Sequence, residues 1–182
     1  MAFTTRARVV ERASITDGLA VGVYELKQAV RKMAGEIVGP QVFLSHSHSD
    51  TDLITFAMRL LTSQGAEIYI DHKDRSLPDS PSTETADLLR DKIKWCERFV
   101  MLASDNGLES KWVPWELGYA DGEKPDGTIA VLPVQENEKG WNGSEYVGLY
   151  ATIQELTEED WRVVQPGKTI YGSDTLKDWL KS

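Results

Sequence analysis

The chain has 182 residues, 41% of them hydrophobic, and a formal net charge of −9. That length accommodates one domain with additions around a sizeable buried core. The acidic balance argues against nucleic acid as a partner, because nucleic-acid binders present a basic face. Taken in chain order, residues 1–40 stand apart: they hold six Lys/Arg against four Asp/Glu, which leaves −11 on the rest. Arg6, Arg8 and Arg12 are not followed by an unbroken apolar stretch, so no secretory leader is expected. Leu19, Val23, Leu26, Val30, Met33 and Ile37 recur at alternating spacings of four and three, an apolar stripe under three heptads long that ends at Gly39-Pro40. It predicts an N-terminal helical extension over 1–40, packed on its own domain or pairing with a second copy, and a main domain over 41–182.

Residues 42–45 form a compact apolar strand signal. Helical spacing follows over 50–64, with Leu53, Ala57 and Leu60 on one stripe and Ile54, Met58 and Leu61 beside it. Ser49 and Asp52 stand at capping-box spacing at its start, and Gly65 ends it. A second strand is predicted over 67–70, then a polar loop over 71–81 that holds Arg75 and no glycine. A second helix spans 83–96 and closes on Cys96, the sole cysteine, so no internal disulfide can form, as suits a reducing compartment. Strand 99–102, a third helix starting near 111–113 and strand 129–132 complete the alternation. Residues 135–182 read as a loop-rich cap anchored by Trp141, Tyr146, Tyr150, Trp161, Tyr171 and Trp179, with a last helix near 173–181. No apolar run approaches the ~20 residues of a membrane helix, so a cytoplasmic protein without a membrane partner is expected.

Strand–helix alternation with continuously apolar strands is the mark of a parallel sheet covered by helices on both faces. Ligands of such sheets bind beyond the carboxyl ends of the strands. Ser45 and His46, Asp71 and His72, and Ala103 and Ser104 all fall on that rim. So does the start of the run 110–120, in which Trp112 and Glu116 stand four apart and share one helical face. An aromatic plate beside a carboxylate suits the handling of a flat cationic group. The same residues also admit a structural reading. With Val113 as N-cap, Pro114 takes its favoured first position, Glu116 becomes a capping residue and Trp112 a core aromatic.

Residues 45–52 raise a metal reading, because His46, His48 and Asp50 resemble the start of a metal-dependent hydrolase site. Thr51 stands where a further histidine would be, and His72 is the one histidine left in the chain, so a binuclear imidazole set cannot be assembled. No metal is expected. Gly-x-Gly-x-x-Gly is absent, as is a Gly-x-Ser-x-Gly elbow. Gly167-Lys168-Thr169 mimics the end of a P-loop, but Arg162 occupies the place of its first glycine.

Residues 41–134 resemble the Toll/interleukin-1 receptor (TIR) domain family. The resemblance rests on the first strand Val42-Phe43-Leu44-Ser45-His46, the second strand Glu67-Ile68-Tyr69-Ile70-Asp71, and the serine-containing loop 104–111 leading into Trp112-x-x-x-Glu116-Leu117. The run 143–150 is similar to that of stand-alone prokaryotic TIR proteins such as those of Thoeris antiphage defence. The resemblance implies a flavodoxin-like α/β fold with a five-stranded parallel sheet. It also implies cleavage of the nicotinamide–ribose bond of NAD, giving ADP-ribose or a cyclic isomer as an immune signal to an effector protein. Glu116 aligns with the catalytic glutamate. Phe43, Ser45, His46, Asp71, Arg75, Ser76, Trp112 and Trp115 are the implied substrate contacts. NAD is the substrate and no cofactor is implied. Self-association through TIR domains is implied, and a non-catalytic adaptor is the alternative within the family. Val113-Pro114-Trp115 stands where relatives often carry a cysteine, and the loop 71–81 lacks the glycine often found there.

Overall fold

Strands buried on both faces form the centre of the molecule. The computed structural model describes residues 4–9, 39–71, 82–135 and 145–182. The main strands are β2 (Gln41–Ser45), β3 (Glu67–Tyr69), β4 (Arg98–Ala103), β5 (Ile129–Gln135) and β6 (Ala151–Thr157). They run parallel in the order β3-β2-β4-β5-β6. This is the five-stranded parallel sheet that the family resemblance implies, in flavodoxin-like order.

The sheet also continues past that body. β7 (Asp160–Val164) returns antiparallel to β6, and β8 (Asp174–Thr175) pairs with β7. β1 (Thr4–Thr5) adds parallel to the end of β5, and Val9 is fully buried in the core. Residues 6–9 are helical. The apolar stripe read over 19–37 lies outside the described residues.

Alternation along each strand divides the core in two, since successive side chains point to opposite faces. Val42, Leu44, Val100, Leu102, Ala130 and Leu132 face one side. There they meet α1 (Thr51–Ser63) and α5 (Leu176–Lys181) through Leu53, Ala57, Leu61, Leu176 and Leu180. Phe43, Phe99, Met101 and Val131 face the other side. They pack on α2 (Thr83–Trp95) and α4 (Trp112–Glu123) through Leu89, Ile93, Val113 and Leu117.

α1 ends where Gly65 takes φ +98°, a conformation costly for any residue with a Cβ. Its start differs from the sequence reading. The N-cap is Asp50, without a side-chain capping bond, and Asp52 is held by Arg6 at 3.0 Å. The capping box lies instead at α2, where Ser82 and Thr85 bond reciprocally.

Residues 145–182 are more regular than the expected loop-rich cap. A 3-10 turn (Glu145–Leu149) precedes β6, and Trp161 and Trp179 are core residues. Phe56 meets Trp161 at 5.8 Å between ring centres, and Trp179 Nε1 donates to the Gly127 carbonyl at 2.7 Å. Tyr171, 78% exposed, anchors nothing in the core, and Trp141 is outside the described residues.

Candidate active site

β2 and β4 are neighbours although a strand lies between them in sequence, so the connections leaving their carboxyl ends diverge and open a crevice. Ser45 ends β2 there. Ser104 follows β4 and caps the short helix α3 (Asp105–Glu109), accepting from the Gly107 amide at 2.9 Å. A Cβ on Gly107 would come within 2.7 Å of the Leu102 carbonyl oxygen, so α3 sits this close to β4 because position 107 has no side chain. The chain then turns into α4. Ser110 Oγ accepts from the amides of Trp112 and Val113 at 3.2 and 3.4 Å.

The N-cap of α4 is Lys111, which makes Trp112 its first residue and puts Glu116 in the second turn. Glu116 is therefore beyond capping reach of the helix start, unlike in the structural reading with Val113 as cap. Its side chain enters the protein, is 3% exposed, and accepts a hydrogen bond from Ser45 Oγ. Burial pushes its carboxyl up from 4.5 to about 8, the Ser45 hydroxyl opposes that shift, and the charge of Asp71 adds to it. A buried carboxylate with a raised pKa and one hydroxyl partner is a functional-site signature.

The sequence-derived residues separate into groups. Ser45 and Glu116 are joined directly. His46, with no side-chain exposure, lies 3.6 Å from Asp71 through Nε2. Its Nδ1 bonds the Leu44 carbonyl at 2.9 Å, and burial depresses its pKa while that carbonyl and Asp71 act in the opposite direction. Trp112 is half-buried and meets Trp115 edge to face at 5.2 Å. Trp115 stacks on Tyr119 at 5.9 Å, with the Arg90 guanidinium 5.4 Å from its ring centre, so it backs Trp112. Phe43 is 1% exposed and lies between Tyr69 and Phe99 in the core, with centroid distances of 5.4 and 5.5 Å. Its side chain belongs to the core cluster on that face of the sheet. Arg75 and Ser76 fall outside the described residues.

Asp50 has a role that sequence reasoning missed. Fully buried, it accepts from Ser104 Oγ and, at 2.7 Å, from Asn106 Nδ2, with Arg6 3.7 Å away. It thus fastens the start of α1 to the exit of β4. The carboxylate clustered with His46 and His48 is Asp71, not the Asp50 of the metal-hydrolase reading.

A TIR domain family model matches residues 42–161, spanning β2 through the start of β7. The chain belongs to the TIR domain family. It is 38% identical over 128 residues to a Bacillus cereus protein named "Probable 3' cyclic ADP-D-ribose synthase ThsB'", an alignment covering 65% of each chain. It is 32% identical over 82 residues to a Cytobacillus dafuensis protein named "Putative cyclic ADP-D-ribose synthase TIR2", covering 43% of this chain and 22% of the relative. The match thus spans just under two thirds of one curated relative and about a fifth of the other. In this chain the segment from Ser104 to Glu116 brings a carboxylate to the end of β2, where it accepts from Ser45.

Proposed function

We propose that this TIR protein cleaves the bond between nicotinamide and ribose C1′ of NAD and closes the remainder into a cyclic ADP-ribose isomer. The observation that carries the reading is Glu116, buried at the strand-end crevice and hydrogen-bonded to Ser45. The names of both relatives support the cyclic product. When the C1′–N bond breaks, its electron pair leaves with nicotinamide, which departs neutral and needs no proton. Positive charge develops on the ribose, as in glycoside hydrolysis. A carboxylate fixed nearby in a dry site stabilises that charge more than it stabilises the ground state.

The free protein holds Glu116 largely protonated at neutral pH. The cationic nicotinamide ring brings the opposite charge that favours ionisation, so substrate binding itself primes the group. Trp112 offers the ring an aromatic face worth about 0.5–2 kcal/mol, and Ser45, His46 and Asp71 line the rim. Capture of C1′ by a nucleophile of the same molecule gives the cyclic product, whereas capture by water gives ADP-ribose.

NAD is the substrate in this reading, and the step draws on no resident metal or cofactor. The setting is cytoplasmic; no helix among the described residues is long and apolar enough to cross a membrane. Self-association completes the site at the loop 71–81, residues 1–40 extend the domain over 41–182 and add Thr4–Thr5 to its sheet, and an effector protein receives the product. Purified protein given NAD should release nicotinamide and yield a product lighter than ADP-ribose by one water. Release without that species would limit the enzyme to hydrolysis, and no release would overturn the reading. Specific activity should rise with protein concentration; turnover per molecule that stays flat while light scattering reports a monomer would overturn the assembly clause.

A further inference from the structure

His46, His48 and Asp71 converge at the edge of the site. One donor atom from each lies within 4.8 Å of the other two. His48 Nε2 is 3.2 Å from Asp71 Oδ2, and His46 Nε2 is 3.6 Å from Asp71 Oδ1. The fold explains the meeting. β2 and β3 run parallel with Phe43 opposite Tyr69, so position 71 leaves β3 beside the exit of β2, where His46 and His48 follow Ser45. His46 donates Nδ1–H to the Leu44 carbonyl, which fixes the ring and directs the Nε2 lone pair toward Asp71. Metal-binding histidines are oriented in this way, by a carbonyl on the far nitrogen. The side chain of His48 is 66% exposed, which leaves an approach from solvent.

We propose that His46, His48 and Asp71 bind a divalent transition-metal ion, zinc above all, and that its binding inhibits the NAD cleavage proposed above. Two imidazoles and one carboxylate form a three-ligand zinc set with an open fourth position. Magnesium and calcium favour all-oxygen ligation and are disfavoured. Asp50 is committed to Ser104 and Asn106, so the set is a single-ion site and not half of a binuclear hydrolase centre. The inhibition rests on the NAD cleavage proposed above. Asp71 lies 3.6 Å from His46, whose chain neighbour Ser45 is hydrogen-bonded to Glu116. A dication held there repels the cationic nicotinamide ring, opposes charge building on the ribose, and occupies Asp71. The ion is a brake, since departure of neutral nicotinamide needs no Lewis acid.

The test uses the full chain after chelator treatment. Cobalt(II) is titrated and followed by its visible absorption, then displaced with zinc; zinc binding is measured by calorimetry. One zinc per chain is expected. His48→Ala removes an exposed ligand without touching the core. It should weaken zinc at least about tenfold, the lower end of what losing even a ligand's supporting partner costs. Zinc should slow nicotinamide release by the wild type, while His48→Ala should keep its metal-free turnover and lose zinc sensitivity in proportion. Absence of zinc binding, or equal affinity in the two proteins, overturns the site. Binding as expected with turnover unchanged or accelerated by zinc overturns the inhibition. If the wild type has no turnover at all, the proposed function and the inhibitory clause fall together, and the cobalt and calorimetric results alone decide the site.

Discussion

Glu116→Gln separates the two things Glu116 does, because it keeps the size of the side chain and an acceptor for Ser45 while removing the charge. In the wild type, burial first and the Asp71 charge second hold the carboxyl near 8 instead of 4.5, against the opposing Ser45 bond. The folded protein therefore keeps a proton that the unfolded chain releases. For a group whose folded pKa is raised, stability is intact below the unfolded value and falls as pH rises toward the folded one. Between its unfolded value and about pH 7 the group crosses about 2.5 units, which at 1.36 kcal/mol per unit removes about 3 kcal/mol. The glutamine variant has no such proton and lacks that slope. Denaturant unfolding of both proteins should show the variant gaining about 3 kcal/mol on the wild type between about pH 4 and pH 7. Nicotinamide release should fall at least about a hundredfold, the scale of losing one preorganised electrostatic group. A carboxyl with the same pKa in the folded and unfolded chain would leave the stability gap independent of pH. A folded variant that retains turnover, or a gap that does not widen with pH, refutes the reasoning.

The pH profile of the wild type follows from the same group. kcat/KM for NAD should rise with pH on a limb near 8, set by Glu116 in the free protein, and the limb in kcat should lie lower because the bound cationic ring favours the carboxylate; a profile flat across that range contradicts this. Ser45→Ala removes the hydrogen bond that favours the ionised form, so its kcat/KM limb should move to higher pH; an unmoved limb means that Ser45 does not tune Glu116. Asp50→Ala leaves Ser104 and Asn106 without their acceptor and should cost about 2–3 kcal/mol in denaturant unfolding. A loss below about 0.5 kcal/mol would place Asp50 among ordinary surface residues.

Three of the four strands legible in the sequence are buried on both faces; the fourth is the partly buried edge strand β3. Residues 42–45, 99–102 and 129–132 are continuous apolar runs because helices cover them above and below. β6 and β7 escaped notice for the converse reason. Ala151–Thr157 alternates Ile153 with Thr152 and Gln154, and β7 intersperses Trp161, Val163 and Val164 with Asp160 and Arg162. Such short polar-interrupted segments look like loop until a neighbouring strand gives their apolar side a face to cover. Trp161 was visible as an aromatic, but its place against Phe56 depends on a pairing 105 positions away in the chain, which no local pattern encodes.

The same division runs through the site. Spacing on one helix puts Trp112 and Glu116 on the same face, since four residues make about one turn. Nothing local distinguishes a capping glutamate from a buried one. That choice turned on where α4 begins, and Ser110 moved the start back by supplying the amides of Trp112 and Val113 with an acceptor. Ser49, Asp50 and Asp52 carry a local capping signal, but two long-range partners override it: Arg6 takes Asp52, and Ser104 takes Asp50. These substitutions have one physical origin. At the carboxyl ends of parallel strands the backbone ladder stops while the chain is still inside the protein. Polar side chains from distant segments then satisfy one another there, and a carboxylate such as Glu116 can be held dry with a hydroxyl for company. The arrangement costs stability as pH rises, yet it leaves charge at the rim ready for a cationic substrate to complete.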